Sequence, residues 1–149
     1  MRIRKYKASD NKKLSYLIQK CILEVNSSDY TERQIEFLRR EFSPAKVHAK
    51  FTSRTTYVAE VKDTLLACIT FNEGEIGSLF VNPRFHHQGV ATNLLDKIEK
   101  YALTHNFSTV WVNSSKTAVT FYKKRKYKMK KRISHKEGGV TFVMKKVLK

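Results

Sequence analysis

The sequence predicts an α/β fold in which a mixed β-sheet carries helices on both faces. Hydrophobic periodicity along the 149 residues gives the element order β-α-α-β-β-β-α-β-α-β-β. In the second half, a strand, a helix and another strand with a helix to follow imply a right-handed crossover between parallel strands, and the hairpins on either side are antiparallel. Each helix has one apolar stripe to bury against a sheet. With 41% hydrophobic residues, we expect a single domain over residues 1–149.

The first elements are a strand and two helices. Residues 2–6 alternate charged and apolar side chains, as a strand does. Ser9 and Asp10 are typical helix caps, and a stripe of helical spacing follows them. The stripe consists of Leu14, Leu17, Ile18, Cys21, Ile22 and Val25. Thr31 and Gln34 form a capping-box pattern that predicts a second helix. That helix carries Ile35, Leu38 and Phe42.

A loop and three strands are predicted next. We expect the loop around Pro44 to extend to Thr52. Residues 55–61 and 65–71 are rich in β-forming side chains and are joined by a short polar turn, so they predict a hairpin. A third strand is expected over residues 76–81, where it runs into an Asn-Pro pair.

The last part of the chain alternates helices and strands. A long helix begins near Gly89 and keeps its apolar residues on one face. These residues are Val90, Leu94, Leu95, Ile98 and Ala102. Residues 109–112 predict a short buried strand, and Ser115 is expected to cap a helix that runs through Arg125. The glycine pair at 138–139 marks a turn between two final strands.

Composition limits the classes of partner. The formal net charge of +17 attracts polyanions, among which coenzyme A, nucleic acid and acidic proteins all qualify. The N-terminus lacks the apolar stretch of a signal peptide or membrane span, so we expect a cytoplasmic protein that does not enter a membrane. Cys21 and Cys68 occupy apolar positions of predicted elements, so we expect them to be reduced and buried.

The most informative stretch is residues 81–95, which joins a strand end, a tight loop and a helix start. Backbone N–H groups in the first turn of a helix have no internal partner, and the helix dipole adds partial positive charge, so such a loop binds phosphate. Gly89 and the small Ala91 allow a diphosphate to approach the backbone. The two common nucleotide-binding glycine motifs, G-x-x-x-x-G-K-[ST] and G-x-G-x-x-G, are absent.

Two motifs resemble the GNAT superfamily of acyl-CoA-dependent N-acyltransferases, and the segments 29–31 and 142–146 resemble an uncharacterised bacterial-type subgroup of it. The loop of that superfamily reads Q/R-x-x-G-x-G/A, and here His86 stands in place of Gln or Arg. Residues 115–127 resemble the second signature, N/S-x-x-A-x-x-F-Y-x-x-x-G-F. Lys126 replaces its glycine and Tyr127 its phenylalanine.

The resemblance implies an N-acetyltransferase that moves an acetyl group from acetyl-CoA to an amine by direct attack. It implies a V-shaped opening between strands 76–81 and 109–112. Tyr122 would protonate the departing thiolate, and Glu75 would be the base, with Glu73 or a chain of water molecules as alternatives. The residues expected to bind the cofactor are Leu79, Phe80, Val81, His86, His87, Gln88, Gly89, Val90, Ala91, Thr92 and Ser115.

Other interpretations stay open at this point. One is a non-catalytic GNAT-like module that binds CoA or RNA, motivated by His86, Lys126 and the charge. Residues 123–136 include nine Lys or Arg and no acid, which suits nucleic acid. A solvated sheet face explains the run as well, because Tyr127, Met129 and Ile133 would alternate with cations. No metal is expected, since the His pair at 86–87 lacks a third ligand at zinc-like spacing. The acceptor and the choice between monomer and homodimer are not encoded in a readable motif.

Overall fold

The structure, a computed structural model, describes residues 1–25, 27–136 and 139–148. Within these residues seven strands form one mixed sheet in the order β1-β2-β3-β4-β5-β7-β6. The strands are β1 (Arg2–Lys5), β2 (Thr55–Val61), β3 (Thr64–Asn72), β4 (Glu75–Val81), β5 (Thr109–Ser114), β6 (Lys128–His135) and β7 (Gly139–Val147). β4 and β5 are parallel, and the β2–β3 and β6–β7 hairpins are antiparallel, as the sequence predicts. The remaining neighbouring pairs are also antiparallel.

Five α-helices cover the sheet in the described part of the chain. They are α1 (Asn11–Glu24), α2 (Glu32–Glu41), α3 (Pro44–Thr52), α4 (Val90–Thr104) and α5 (Val119–Lys124). One core joins the sheet to α4 and to Tyr122 of α5, and a second joins it to α1 and α3. The predicted mixed sheet with helices on both faces is confirmed. Among the described residues no helix has the length and apolar character needed to cross a membrane.

The loop predicted around Pro44 is wrong, because this segment is the helix α3. Ser43 has the extended backbone of an N-cap and Pro44 occupies the first turn, where its missing N–H removes no hydrogen bond. Val47 and Phe51, four residues apart, are both fully buried against the α1 side of the sheet. The proline therefore starts a helix.

The helix predicted from Ser115 through Arg125 is shorter than expected. α5 begins at Val119, and Ser115 instead caps a preceding turn, where its Oγ accepts a hydrogen bond from the Ala118 amide at 3.3 Å. At the other end, Lys126 has a φ of +75°, the left-handed conformation that usually favours glycine after a helix. The substitution of lysine at this signature position is therefore accommodated without a change in backbone conformation.

The centre of the sheet is irregular. β4 and β5 pair only at Glu75 with Trp111 and at Ile76 with Val112. On its other side β4 stays paired with β3, but with a bulge that sets two residues, Ser78 and Leu79, opposite one residue of β3. Ser78 has a φ of +45°, which bends the strand. Beyond Ile76, β4 therefore remains in the sheet through β3 alone.

The basic run lies on the sheet edge. β6 is the terminal strand, and a register shift between Met129 and Lys131 interrupts its alternation. Met129 is 42% exposed, so the predicted apolar face is wrong at this residue, and both faces of the strand are solvated over most of its length. Tyr127 is buried, but it precedes the strand. β6 and β7 pair as an antiparallel hairpin; of the predicted turn, Gly138 lies outside the described residues.

Candidate active site

A cleft of about 720 Å³ opens where β4 and β5 part. Its floor is the free edge of β4 from Gly77 to Val81, together with the turn that leads into α4. The end of β5 and the first residues of α5 face this edge, and α1 and α2 close one side. Main-chain groups of β4 that point away from β3 have lost their strand partner here, so they face the cleft. Leu79, Phe80 and Val81, which the resemblance implies as cofactor contacts, lie on this stretch.

The turn before α4 presents unpaired amides. Gly89, with a φ of +80°, is the N-cap of α4, and His87 also has a positive φ of 62°. The Asn93 amide bonds the Gly89 carbonyl at 3.0 Å, but the six amides from His87 through Thr92 have no hydrogen-bond acceptor within the residues that the structure describes. A run of free amides at a helix N-terminus favours a bound phosphate. A Cβ built at Gly89 meets nothing within 4 Å, so the space above this turn is open.

Two histidines flank this turn with different roles. His86 Nε2 lies 3.0 Å from the Val81 carbonyl oxygen, so its ring ties the turn to the end of β4. The Cys21 thiol donates to the same oxygen at 3.1 Å. His87 lines the cleft and is exposed, whereas Gln88 is exposed but lies outside the lining residues. The other predicted cofactor contacts of the turn, and Ser115, line the cleft. They are His86, Gly89, Val90, Ala91, Thr92 and Ser115.

Tyr122 reaches the cleft from α5. Its side chain is 4% exposed and packs edge to face against Phe121 and Tyr127, with ring centroids 5.2 and 5.4 Å away. Its hydroxyl has no hydrogen-bond partner among the described residues, whereas the Tyr127 hydroxyl donates to Glu99 at 2.7 Å. Burial raises the pKa of Tyr122 above its ordinary value. The free hydroxyl is therefore protonated at neutral pH and able to donate into the cleft.

Glu75 and Glu73, the predicted bases, lie away from the cleft. Glu75 begins β4, paired with Asn72 on β3 and with Trp111 on β5, and Glu73 lies in the β3–β4 turn with a φ of +46°. Neither residue lines the cleft, and no other carboxylate in the described chain lines it either. The cleft begins two residues after Glu75, on the far side of the last β4–β5 pair.

Sequence reasoning missed the wall that the connection between α1 and α2 contributes. Asp29 accepts hydrogen bonds from the Thr117 amide at 3.3 Å and from the Thr117 hydroxyl at 2.5 Å, so this connection is joined to the turn before α5. Tyr30 lines the cleft and lies against Gly139, where an added Cβ would be 2.5 Å from the tyrosine ring. The remaining lining residues on this side are Cys21, Ile22, Val25, Leu38 and Phe42. The signal available in the sequence was the Asp29-Tyr30-Thr31 segment, part of the resemblance but without an assigned role.

Both cysteines are buried, as the sequence predicts, and neither forms a disulfide. Burial raises the pKa of Cys21 to about 12 and that of Cys68 further. Cys21 lies on the cleft wall, but as a neutral thiol that donates to a backbone oxygen. It is therefore a packing residue and a poor nucleophile at neutral pH.

The comparison with protein families decides the class. Residues 26–148 match the family described as the acetyltransferase (GNAT) domain, which takes in both motifs and every wall of the cleft except α1. This chain belongs to the GNAT acetyltransferase family. It is therefore an acetyltransferase, which favours the enzyme over a non-catalytic module. Comparison with curated proteins gives no match.

Solved structures share the fold of this GNAT acetyltransferase over nearly its whole length. A GCN5-related N-acetyltransferase from Rhodopseudomonas palustris is 25% identical, with a TM-score of 0.90 over 98% of this chain and 94% of that chain. The PaiA N-acetyltransferase from Thermoplasma acidophilum in complex with coenzyme A is 18% identical, with a TM-score of 0.81 over 98% of both chains. An aminoglycoside 6'-N-acetyltransferase complexed with coenzyme A is 15% identical, with a TM-score of 0.67 over 100% of this chain and 98% of that chain.

Proposed function

We propose that this acetyltransferase transfers an acetyl group from acetyl-CoA to the nitrogen of an amine, by direct attack of the amine on the thioester. The observation that carries the proposal is the run of free amides from His87 through Thr92, which opens onto the same cleft as the unpaired Tyr122 hydroxyl. Two solved structures of the same fold are complexes with coenzyme A, which supports this choice of donor.

The free amides and the N-terminus of α4 suit a diphosphate, because both offer positive partial charge without a side chain. Gly89 leaves open space above the turn. The unpaired edge of β4 from Gly77 to Val81 offers hydrogen-bonding groups to an extended, amide-containing arm. The chain thus holds the donor through its main chain and fixes the thioester in the cleft near Tyr122.

In the transfer step the amine nitrogen forms a bond to the thioester carbonyl carbon, and the carbon–sulfur bond breaks. Tyr122 gives its hydroxyl proton to the departing thiolate; its raised pKa keeps the hydroxyl protonated at neutral pH, and no described residue is hydrogen-bonded to it. We assign removal of the amine proton to water in the cleft, since Glu75 and Glu73 lie outside its lining. An outward-facing N–H of the β4 edge would stabilise the oxyanion that develops on the carbonyl oxygen.

The test measures binding and turnover separately. Calorimetry is expected to show that CoA binds, and that pantetheine, which lacks the diphosphate and the adenosine 3′-phosphate attached to it, binds at least tenfold more weakly. A thiol-release assay with acetyl-CoA and a panel of amines is expected to yield one thiol for each acetylated amine. Equal affinity for CoA and pantetheine would contradict the assignment of the turn, and binding of RNA without binding of CoA would overturn the proposed function.

A further inference from the structure

Two cations of the α3 region lie just outside the lining of the cleft, at the end that is farther from the phosphate-binding turn. Lys50 places its Nζ 4.1 Å from the centroid of the Phe42 ring, and Phe42 lines the cleft. The Arg54 Nη1 lies 3.7 Å from the point where a Cβ added to Gly77 would stand. Gly77 is the first residue of β4 in the cleft lining. From Gly77 to Val81 the strand covers about 13 Å, so these cations are remote from the turn that receives the diphosphate.

Neither cation is neutralised by the protein. Within the described chain, the side chains of Arg54 and Lys50 make no hydrogen bond or ion pair, and the Glu41 carboxylate is bonded to Lys46 at 2.8 Å. Burial lowers the pKa of Lys50, the charge of Glu41 raises it, and the charges of Arg54 and Lys46 lower it. A partly desolvated pair of like charges is unfavourable unless an anion joins it.

The β4 backbone next to Arg54 carries no side chain, because the residue there is Gly77. Gly77 has no positive φ, so its conformation does not require glycine. A Cβ at this position would stand 3.1 Å from the Thr70 hydroxyl oxygen, which is buried and has no partner in the structure. Glycine therefore lets the Thr70 hydroxyl and the Arg54 guanidinium lie close to the β4 backbone at this end of the cleft, because a side chain at position 77 would crowd the hydroxyl.

The neighbouring wall is apolar. Ile22, Val25, Leu38 and Phe42 line it, and no carboxylate lines any part of the cleft formed by described residues. A polyamine needs carboxylates for its several ammonium groups, and the net charge of +17 repels it. An amine with an apolar body and a negative charge matches both the wall and the cations.

We propose that the acceptor is an α-amino acid with an apolar side chain, whose carboxylate binds to Arg54 and Lys50. This inference rests on the proposed N-acetyltransferase function and names its substrate class. The apolar side chain packs against Ile22, Val25 and Leu38, and the carboxylate lies at the Gly77 end of the cleft, next to the two cations. The α-amine attacks the thioester carbonyl, so the products are an N-acetylamino acid and the free thiol of CoA.

Matched amines test the inference at saturating acetyl-CoA. L-leucine and L-phenylalanine are compared with isoamylamine and phenethylamine, which are the same molecules without the carboxylate, and with spermidine. We expect kcat/KM at least tenfold higher for each amino acid than for its decarboxylated counterpart. In Arg54→Gln, the KM for L-leucine rises at least tenfold while kcat changes little, and kinetics with isoamylamine stay unchanged. Arg132→Gln, on the exposed strand β6, is the matched control and keeps wild-type values.

The outcomes distinguish failure of the proposed acceptor class from failure of the proposed N-acetyltransferase function. Thiol release with the decarboxylated amines or spermidine as efficient as with the amino acids, or CoA binding without turnover of either amino acid, overturns the inference and leaves CoA binding intact. Failure to bind CoA and to acetylate any amine overturns the proposed function itself. Circular dichroism and CoA affinity report whether Arg54→Gln folds. If it does not, Lys50→Gln and the wild-type preference between matched amines decide.

Discussion

The β2–β3 pair and the β4–β5 pair belong to one sheet but differ in how far their hydrogen bonding extends. β2 and β3 stay paired from Thr55 with Phe71 to Val61 with Thr64, with one register shift between Ala59 and Glu60. β4 and β5 pair at two positions and then separate. The first pair buries its main-chain groups within the sheet, while the second leaves them open to a cleft. The β2–β3 pair therefore belongs to the scaffold, and the separation of β4 from β5 forms the candidate site.

The polar side chains beside β2 and beside β4 differ in the same way, in whether they have hydrogen-bond partners. Beside β2, the Arg4 guanidinium donates to Asp10 at 2.9 and 3.0 Å and to Glu60 at 3.0 and 3.1 Å, so each group in this cluster has a partner. Beside β4, the Tyr122 hydroxyl and the Arg54 guanidinium have none within the described chain. Groups without a protein partner are those that a ligand can satisfy. The following variants test this division.

The largest effect is expected for Tyr122→Phe. Because the hydroxyl has no protein partner, its removal leaves the fold and CoA binding intact, but it removes the proton donor for the thiolate. We expect kcat to fall by about 100-fold with the Kd for CoA unchanged. Steady-state kinetics and calorimetry measure the two quantities, and Tyr16→Phe, at a side chain that is 73% exposed, serves as the control. A parallel loss of CoA affinity would instead make Tyr122 a structural residue.

Gly89→Val is expected to weaken CoA binding by about 30-fold, because a branched side chain would stand where the diphosphate meets the amides. Valine is also strained at a φ of +80°. Gly74→Val is the matched control, since Gly74 has a φ of +94° in the β3–β4 turn, outside the cleft lining. The melting temperature of Gly74→Val should fall about as much as that of Gly89→Val, while its CoA affinity stays at the wild-type value. Full affinity in Gly89→Val would count against the phosphate-binding turn.

The smallest effect is expected on the scaffold side, in Arg4→Met. This change leaves Asp10, which is 5% exposed, without its main partner and should lower the free energy of unfolding at pH 7 by about 1–2 kcal/mol. CoA affinity should be unchanged, because the cluster lies away from the cleft. Urea unfolding and calorimetry measure both properties. A change in CoA affinity as large as that of Gly89→Val would contradict the division into scaffold and site.

The Arg4→Met defect should also depend on pH. Burial alone would raise the pKa of Asp10, but hydrogen bonds from Arg4 and from the Lys7 amide bring it below its ordinary value. A lowered pKa means that the folded state favours the charged carboxylate, so this stabilisation is present above about pH 4 and is lost as the pH falls through the lowered value. The difference in stability between wild type and variant should therefore shrink at about pH 3. A constant difference would show that lost packing dominates.

Local sequence patterns were sufficient to predict most of the fold. Alternation, helical stripes and the Thr31–Gln34 capping box depend on neighbours within a few residues, and the capping box is present with both of its hydrogen bonds. The loop predicted at Pro44 is wrong because a proline can follow the end of one helix or start the next, and the local sequence does not distinguish the two. The burial of Val47 and Phe51 shows that Pro44 starts a helix. The turn at Gly89 was readable because its function needs only a strand end, a glycine and a helix start in order.

The sequence by itself determined the order of strands and helices apart from α3, the turn before α4, and membership of the family through two motifs. Tertiary structure alone decided where β4 leaves β5, which leaves Glu75 outside the cleft lining. It also decided the packing of the α1–α2 side, which brings Tyr30 and Phe42 into the lining. Local signals act over a few residues, whereas the bulge at Ser78 and the neighbours of Arg54 arise from strands and helices that are distant along the chain. Their positions follow from packing of the whole sheet, which no short stretch of sequence encodes.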